Sequence, residues 1–422
     1  MKVYRLNVLL AMFLFLICCF PYITFIDTSF DTQPYAIGYS LVLIFFLAVL
    51  SRDFGIPKLL FPYLFIFGYS LIYVLLAQSF SMGLRSIVGY ASVLSIALAS
   101  YTTFKFVKGR QFIFIVVVWF LFGIVQQVVS KDFGSFMLSR LSTSESRGIT
   151  SLAAEPSYYA ITCLFFFVLN DVFYTRKQYS KKTYIILFIL LTIQMIFSRA
   201  GVGMMLFLVY LLAKLVAQQN TVRMVKQFVA IAILVVLIFV LFNTVDNLHT
   251  SRLGVLIDYA INNPKYLLYS DGSIADRLVH IILSHLSLFY SNGLGLGLGN
   301  WDQYSWVLAN WSGGFPLELA NVNMTAHGRI MSGWGTVIFE LGIVGVFFFL
   351  SFAYIMYRGF KSSDKVGKGL YISSFLTIYF IVLNGVSISH PLFGYLIGVF
   401  IYIHIDNLRV KKYASTLSNI VQ

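Results

Sequence analysis

Apolar runs long enough to cross a lipid bilayer recur along almost the whole chain. They fall at 7–25, 36–51, 59–77, 86–103, 111–128, 156–174, 183–197, 202–217, 227–245, 334–356, 369–387 and 392–406. Spanning hydrocarbon takes ~20 mostly apolar residues in a helix, because a helix satisfies its own backbone hydrogen bonds. A β-barrel would instead show ~10-residue alternating segments, and the sequence has none. The chain is 59% hydrophobic and 11% charged, with mean hydropathy +0.84. Soluble domains carry roughly 25% charged residues, so this chain cannot cover itself with polar surface. The expected fold is an all-α polytopic integral membrane protein with about twelve transmembrane helices, forming one domain over 1–422. The seventh and eighth runs are short, and only Ser198-Arg199-Ala-Gly201 separates them, so they also read as one interrupted hairpin.

The formal charge of +14 is scattered between the runs and forms no basic domain, which argues against nucleic acid as a partner. A bias of Lys and Arg toward the cytoplasmic loops explains it. With the N-terminus inside, twenty-one of the 30 Lys and Arg fall on the cytoplasmic side and nine outside, and both termini are cytoplasmic. Of the nine outer residues, seven are Arg. Orientation requires only positive charge. Arginine adds a planar fork suited to phosphate or carboxylate, so the outer arginines read as a site for an anion. The first apolar run follows Lys2 and Arg5 as in a signal peptide, but it is too long and no small-x-small cleavage site follows, so it reads as a retained helix. Cys18, Cys19 and Cys163 lie within apolar runs and read as small core hydrophobes. No P-loop, HExxH, GxSxG or CxxC pattern is present, and the reading includes no cofactor and no metal.

The stretch from Asp246 to Gly333 lacks a membrane-length run and reads as one large outer loop between spans nine and ten. It holds Arg252, Arg277, Arg329, His249, His280, His285 and His327. Ser273, Arg277, His280 and Ser284 recur at helical spacing, which predicts a helix lying along the membrane surface with its polar face solvated. The ladder Gly293-Leu-Gly-Leu-Gly-Leu-Gly299 lacks the strand–turn–helix context of a dinucleotide site and reads as a flexible loop that lets backbone approach a ligand. His327 stands just ahead of the tenth span, where a neutral imidazole can act as general base. Two shorter outer turns add charges. Arg147 precedes Glu155-Pro156-Ser157 at the start of the sixth span, where Glu155 or Ser157 is placed to cap the helix and Arg147 to pair with Glu155. Arg199 lies so close to hydrocarbon that it needs an anionic partner or must snorkel to lipid headgroups.

Taken together, Arg147…Glu155-Pro-Ser, Ser198-Arg199-Ala-Gly, Asp271-Gly-Ser273…Arg277, the glycine run before Asn300 and His327 ahead of Glu340-Leu-Gly-Ile-Val-Gly345 form a pattern. It resembles the O-antigen polymerase (Wzy-type) and O-antigen ligase superfamily of bacterial envelope polysaccharide assembly. The resemblance implies a fold like that of the C-type glycosyltransferases, in the bacterial inner membrane. It implies inverting transfer of an oligosaccharide repeat from undecaprenyl pyrophosphate to a second lipid-linked repeat, without a metal. Arg147, Arg199 and Arg277 would hold the pyrophosphate, joined by Arg252 and Arg329. His327 would be the base, with Glu155 a competing base or an arginine partner. A chain-length regulator protein is an implied partner. A ligase acting on lipid A core is the alternative, and a transporter or flippase of lipid-linked sugars the further one.

Overall fold

The computed structural model describes residues 2–24, 32–50, 55–75, 77, 79–138, 148–217, 255, 258–259, 262, 272–314 and 330–421. Regular structure among these residues is helical, apart from one isolated bridge between Ile23 and Leu138. The helices are α1 (Lys2–Cys19), α2 (Tyr35–Leu50), α3 (Phe61–Val74), α4 (Phe80–Thr103), α5 (Gly109–Val128), α6 (Pro156–Thr175), α7 (Lys181–Ser198) and α8 (Gly201–Val216). They continue with α9 (Gly272–Tyr290), α10 (Trp301–Trp311), α11 (Gly333–Leu341), α12 (Ile343–Ser362), α13 (Lys365–Leu383) and α14 (Pro391–Val421). Seven of them, α4, α5, α6, α7, α12, α13 and α14, are long and apolar enough to cross a membrane; α1, α2, α3 and α8 are shorter apolar helices. This is the architecture of a polytopic membrane protein. The ninth expected span, 227–245, lies outside the described residues.

Position in the bundle follows from which faces are apolar. Helix α6 is apolar all round and is buried all round: Tyr159 to Ile161 and Cys163 to Leu169 are fully covered. Its phenylalanines interleave with rings of neighbours, Phe167 with Phe188, Phe207 and Tyr210. Helix α2 shows the opposite pattern. Phe45 is 72% exposed and Val49 67%, an apolar face turned outward, as in a helix whose solvent is lipid. The three cysteines are buried and unpaired, as their apolar setting predicts.

The longest helix contact, α4 on α14, is made by small residues. A Cβ on Gly398 would overlap Ala97 O and Ser100 Oγ, and one on Gly394 would crowd Ile96 and Val93. Lipid tails supply no hydrophobic drive between helices, so close backbone approach is what holds such a pair. Ser100 Oγ donates to Tyr395 O at 3.0 Å across the seam.

The tenth span is not one helix. It breaks at Gly342 (φ 59°) into α11 and α12. The break is closed by the glycine ladder, whose four glycines have φ between 70° and 89°. Leu296 N donates to Phe339 O at 2.7 Å, Gly297 N to Glu340 O at 3.2 Å, and Ile343 N to Gly293 O at 2.8 Å. A Cβ on Gly295 would meet Glu340 O and Gly342 N at 2.6 Å. The buried Glu340 side chain completes the clasp: Ser86 Oγ (2.5 Å), Tyr90 Oη (2.8 Å) and Gly299 N (3.2 Å) all donate to it. The expectation of a flexible, ligand-facing ladder is therefore corrected. The backbone that the glycines admit is the chain's own.

The surface-helix expectation is corrected as well. Helix α9 forms, but its polar stripe is buried: His280, Ser284 and Ser287 are fully covered. Gly335 of α11 leaves room for Ser284, and Met331 N donates to His280 Nδ1 at 3.0 Å. Val279 and Leu283 join Trp301, Leu308 and Phe339 in a small core of their own.

Candidate functional site at the loop face

The site is built on a segment with no regular structure. Residues 149–154 follow no helix yet are at most 2% exposed. Irregular backbone at membrane depth survives only if protein groups satisfy it. Gln126, at the end of α5, does this with one carboxamide. Its Nε2 donates to Phe133 O (2.8 Å) and Ser151 O (2.9 Å), and its Oε1 accepts from Thr150 N (3.1 Å) and Ser151 N (2.6 Å). Ser151, held at φ 51°, donates through Oγ to Trp119 O at 2.7 Å. The segment delivers Glu155 to the first turn of α6. Glu155 occupies the N-cap position with Pro156 behind it, but its side chain makes no capping hydrogen bond, so the expected carboxylate cap is not formed.

Two motifs that are fifty residues apart in sequence meet here. Gly148 lies against the carbonyl of Ser198, where any Cβ would overlap it, and Ile149 N donates to Phe197 O at 3.2 Å. The residue after Arg147 thus packs on the residue before Arg199. Gly203 packs as closely on Ala160, which sets the start of α8 beside the start of α6. Arg147 itself lies outside the described residues, as do His327, Arg252 and Arg329.

Arg199 terminates α7 in the left-handed conformation, φ 45° and ψ 29°, with its N–H on Ile196 O at 3.1 Å. That conformation costs an L-residue roughly 1–2 kcal/mol and is usually left to glycine. Among the described residues no acceptor lies within hydrogen-bonding distance of the guanidinium, and no carboxylate pairs with it. A strained, half-buried cation with no partner among the described residues marks a candidate anion site.

Arg277 approaches from the other side. Its Nη1 donates to Asn384 O at 2.6 Å, and Gly385 beneath it (φ 137°) has no room for a side chain. The same turn, 384–390, ends at His390. There Leu392 N donates to Nδ1 at 3.3 Å, so the ring proton sits on Nε2, which donates to Tyr22 Oη at 3.2 Å. His390 stacks on Phe165 of α6, and Tyr22 stacks on Tyr158, three residues beyond Glu155. Glu155, Arg199 and Arg277 therefore share one end of the bundle, linked through the 384–390 turn. Sequence reasoning missed Gln126 and the depth of His390. The doublet Gln126-Gln127 closing an apolar run, and His390 directly before a proline, were the available signals.

The opposite end carries both termini and differs in kind. Asp171 of α6 is held by Lys214 (2.8 Å), Tyr184 (2.9 Å) and Tyr210 (3.1 Å), and Arg176 is paired with Asp406 at 2.7 Å. These charges are matched and read as structural.

The arrangement defines a helical, membrane-type protein with a rigid, cation-bearing loop face. No protein-family model matches the chain, and no curated protein does.

Proposed function

We propose that this protein is an inverting glycosyltransferase that joins oligosaccharide repeats carried on undecaprenyl pyrophosphate. It works at the outer face of a bacterial inner membrane, with both termini cytoplasmic. The observation that carries this reading is Arg199, a strained arginine with no partner among the described residues, beside a loop fixed by Gln126. In the reaction the acceptor hydroxyl attacks C1 of the donor sugar as the C1–O bond to pyrophosphate breaks. The electron pair leaves with the pyrophosphate. Charge develops on that group, and arginines already fixed in place stabilise it. Arg199 and Arg277 hold it from two helices, with Arg147, Arg252 and Arg329 from the adjoining segments. The acceptor proton passes to Glu155 or His327.

Transport is the weaker reading on one specific ground. A transporter places ionisable groups along a path through the membrane. Here the buried carboxylates Asp171 and Glu340 are each enclosed by their own donors. Glycan profiling of a deletion strain tests the reading. Core carrying a single repeat, restored to long chains by the wild-type gene and not by Arg199→Lys, supports it. Loss of all repeats from core makes the protein a ligase, and repeats confined to the inner leaflet make it a transporter; either outcome overturns polymerisation.

A further inference from the structure

The terminal face holds a cavity of about 960 Å³ among the ends of α1, α2, α4, α12 and α14 and residues 55–59. Its lining is divided. Leu43 and Leu47 of α2 form an apolar wall, and Lys58, Lys105, Arg358 and Arg409 contribute four cations. No Asp or Glu lines it among the described residues. Arg358 donates to Tyr354 Oη at 2.8 Å and Lys105 lies over the Phe106 ring, and among the described residues none of the four cations is paired with a carboxylate. The nearby Asp406 is engaged with Arg176.

An orientation bias toward Lys and Arg explains why cations lie at this end. It does not explain why four of them line one cavity that also has an apolar wall. The size matters too. The volume lies at the upper end of the ~300–1,000 Å³ range of small-molecule sites. A lone phosphate would leave most of it empty, including the leucine wall. That wall belongs to α2, whose outer residues Phe45 and Val49 present an exposed apolar face.

We infer that this cavity binds a phosphate-bearing anion, the apolar wall favouring the headgroup of an anionic membrane lipid over free phosphate. Basic pockets between membrane helices recognise such headgroups. The site is at the opposite end from Arg199, and the inference does not rest on the glycosyltransferase reading.

The test is native mass spectrometry of the full chain in detergent, titrated with phosphatidylglycerol, with phosphatidylcholine of the same acyl chains, and with inorganic phosphate as competitor. Phosphatidylglycerol is expected to bind about tenfold more tightly than phosphatidylcholine. Arg358→Gln with Arg409→Gln should abolish that preference, and the doubly lysine-substituted chain should keep most of it, which separates loss of charge from loss of fold. Displacement of the lipid by inorganic phosphate assigns the site to free phosphate; no displacement assigns it to lipid. Equal binding of the two lipids, with no binding of inorganic phosphate, overturns the inference. So does a preference that survives the double glutamine substitution.

Discussion

Two irregular segments pack against the helices, the first partly exposed and the second buried, and they are held in opposite ways. The ladder Gly293–Gly299 is closed by backbone. Its glycines let the chain lie directly on the α11–α12 break, and the buried carboxylate there, Glu340, is surrounded by donors. The segment 148–155 is closed by a side chain, the carboxamide of Gln126, and it begins against the turn that carries Arg199, which nothing described neutralises. In both, protein groups satisfy irregular backbone. Only the second leaves a charge available. The first is architecture, and the second is where we propose that a ligand binds.

Four substitutions would break or sharpen that contrast. The largest effect is expected at Gly342→Val. A Cβ there overlaps Gly293 O, and φ is 59°. A loss above about 4 kcal/mol should leave little monodisperse protein on size exclusion; normal yield would mean the clasp is not structural. Next, Arg199→Lys should lower transfer by about 10²–10³-fold, in the range measured for losing a single oxyanion donor, while the melting curve stays put. An unchanged rate would remove Arg199 from the site. Gln126→Leu strands the Thr150 and Ser151 N–H groups and two carbonyls. It should cost about 3 kcal/mol in denaturant melts and slow transfer as well. The smallest effect has the opposite sign. Arg199→Gly should stabilise the protein by about 1 kcal/mol by relieving the left-handed arginine, yet remain inactive. A destabilised glycine variant would show that Arg199 is held for packing instead.

Much of the platform could be read before the fold was known, because its motifs are made of residues that are costly near lipid. Arg199 and Glu155 stood out on that ground, and Pro156 does occupy the first turn of α6. The ladder misled for a physical reason. Glycine permits close approach by any backbone, and sequence does not say whether that backbone belongs to a ligand or to the chain. The stripe on α9 misled similarly. A 3.6-residue period locates a polar face without saying what covers it, and here Gly335 and Met331 cover Ser284 and His280.

The sequence alone determined the apolar, helical character of the chain, because hydrocarbon tolerates only apolar, self-satisfied backbone. Tertiary structure decided everything that depends on proximity. Gly148 on Ser198, Arg277 on Asn384 and four cations around one cavity each join residues far apart in the chain. Periodicity reports a residue's own helix face, and only packing reports what that face meets.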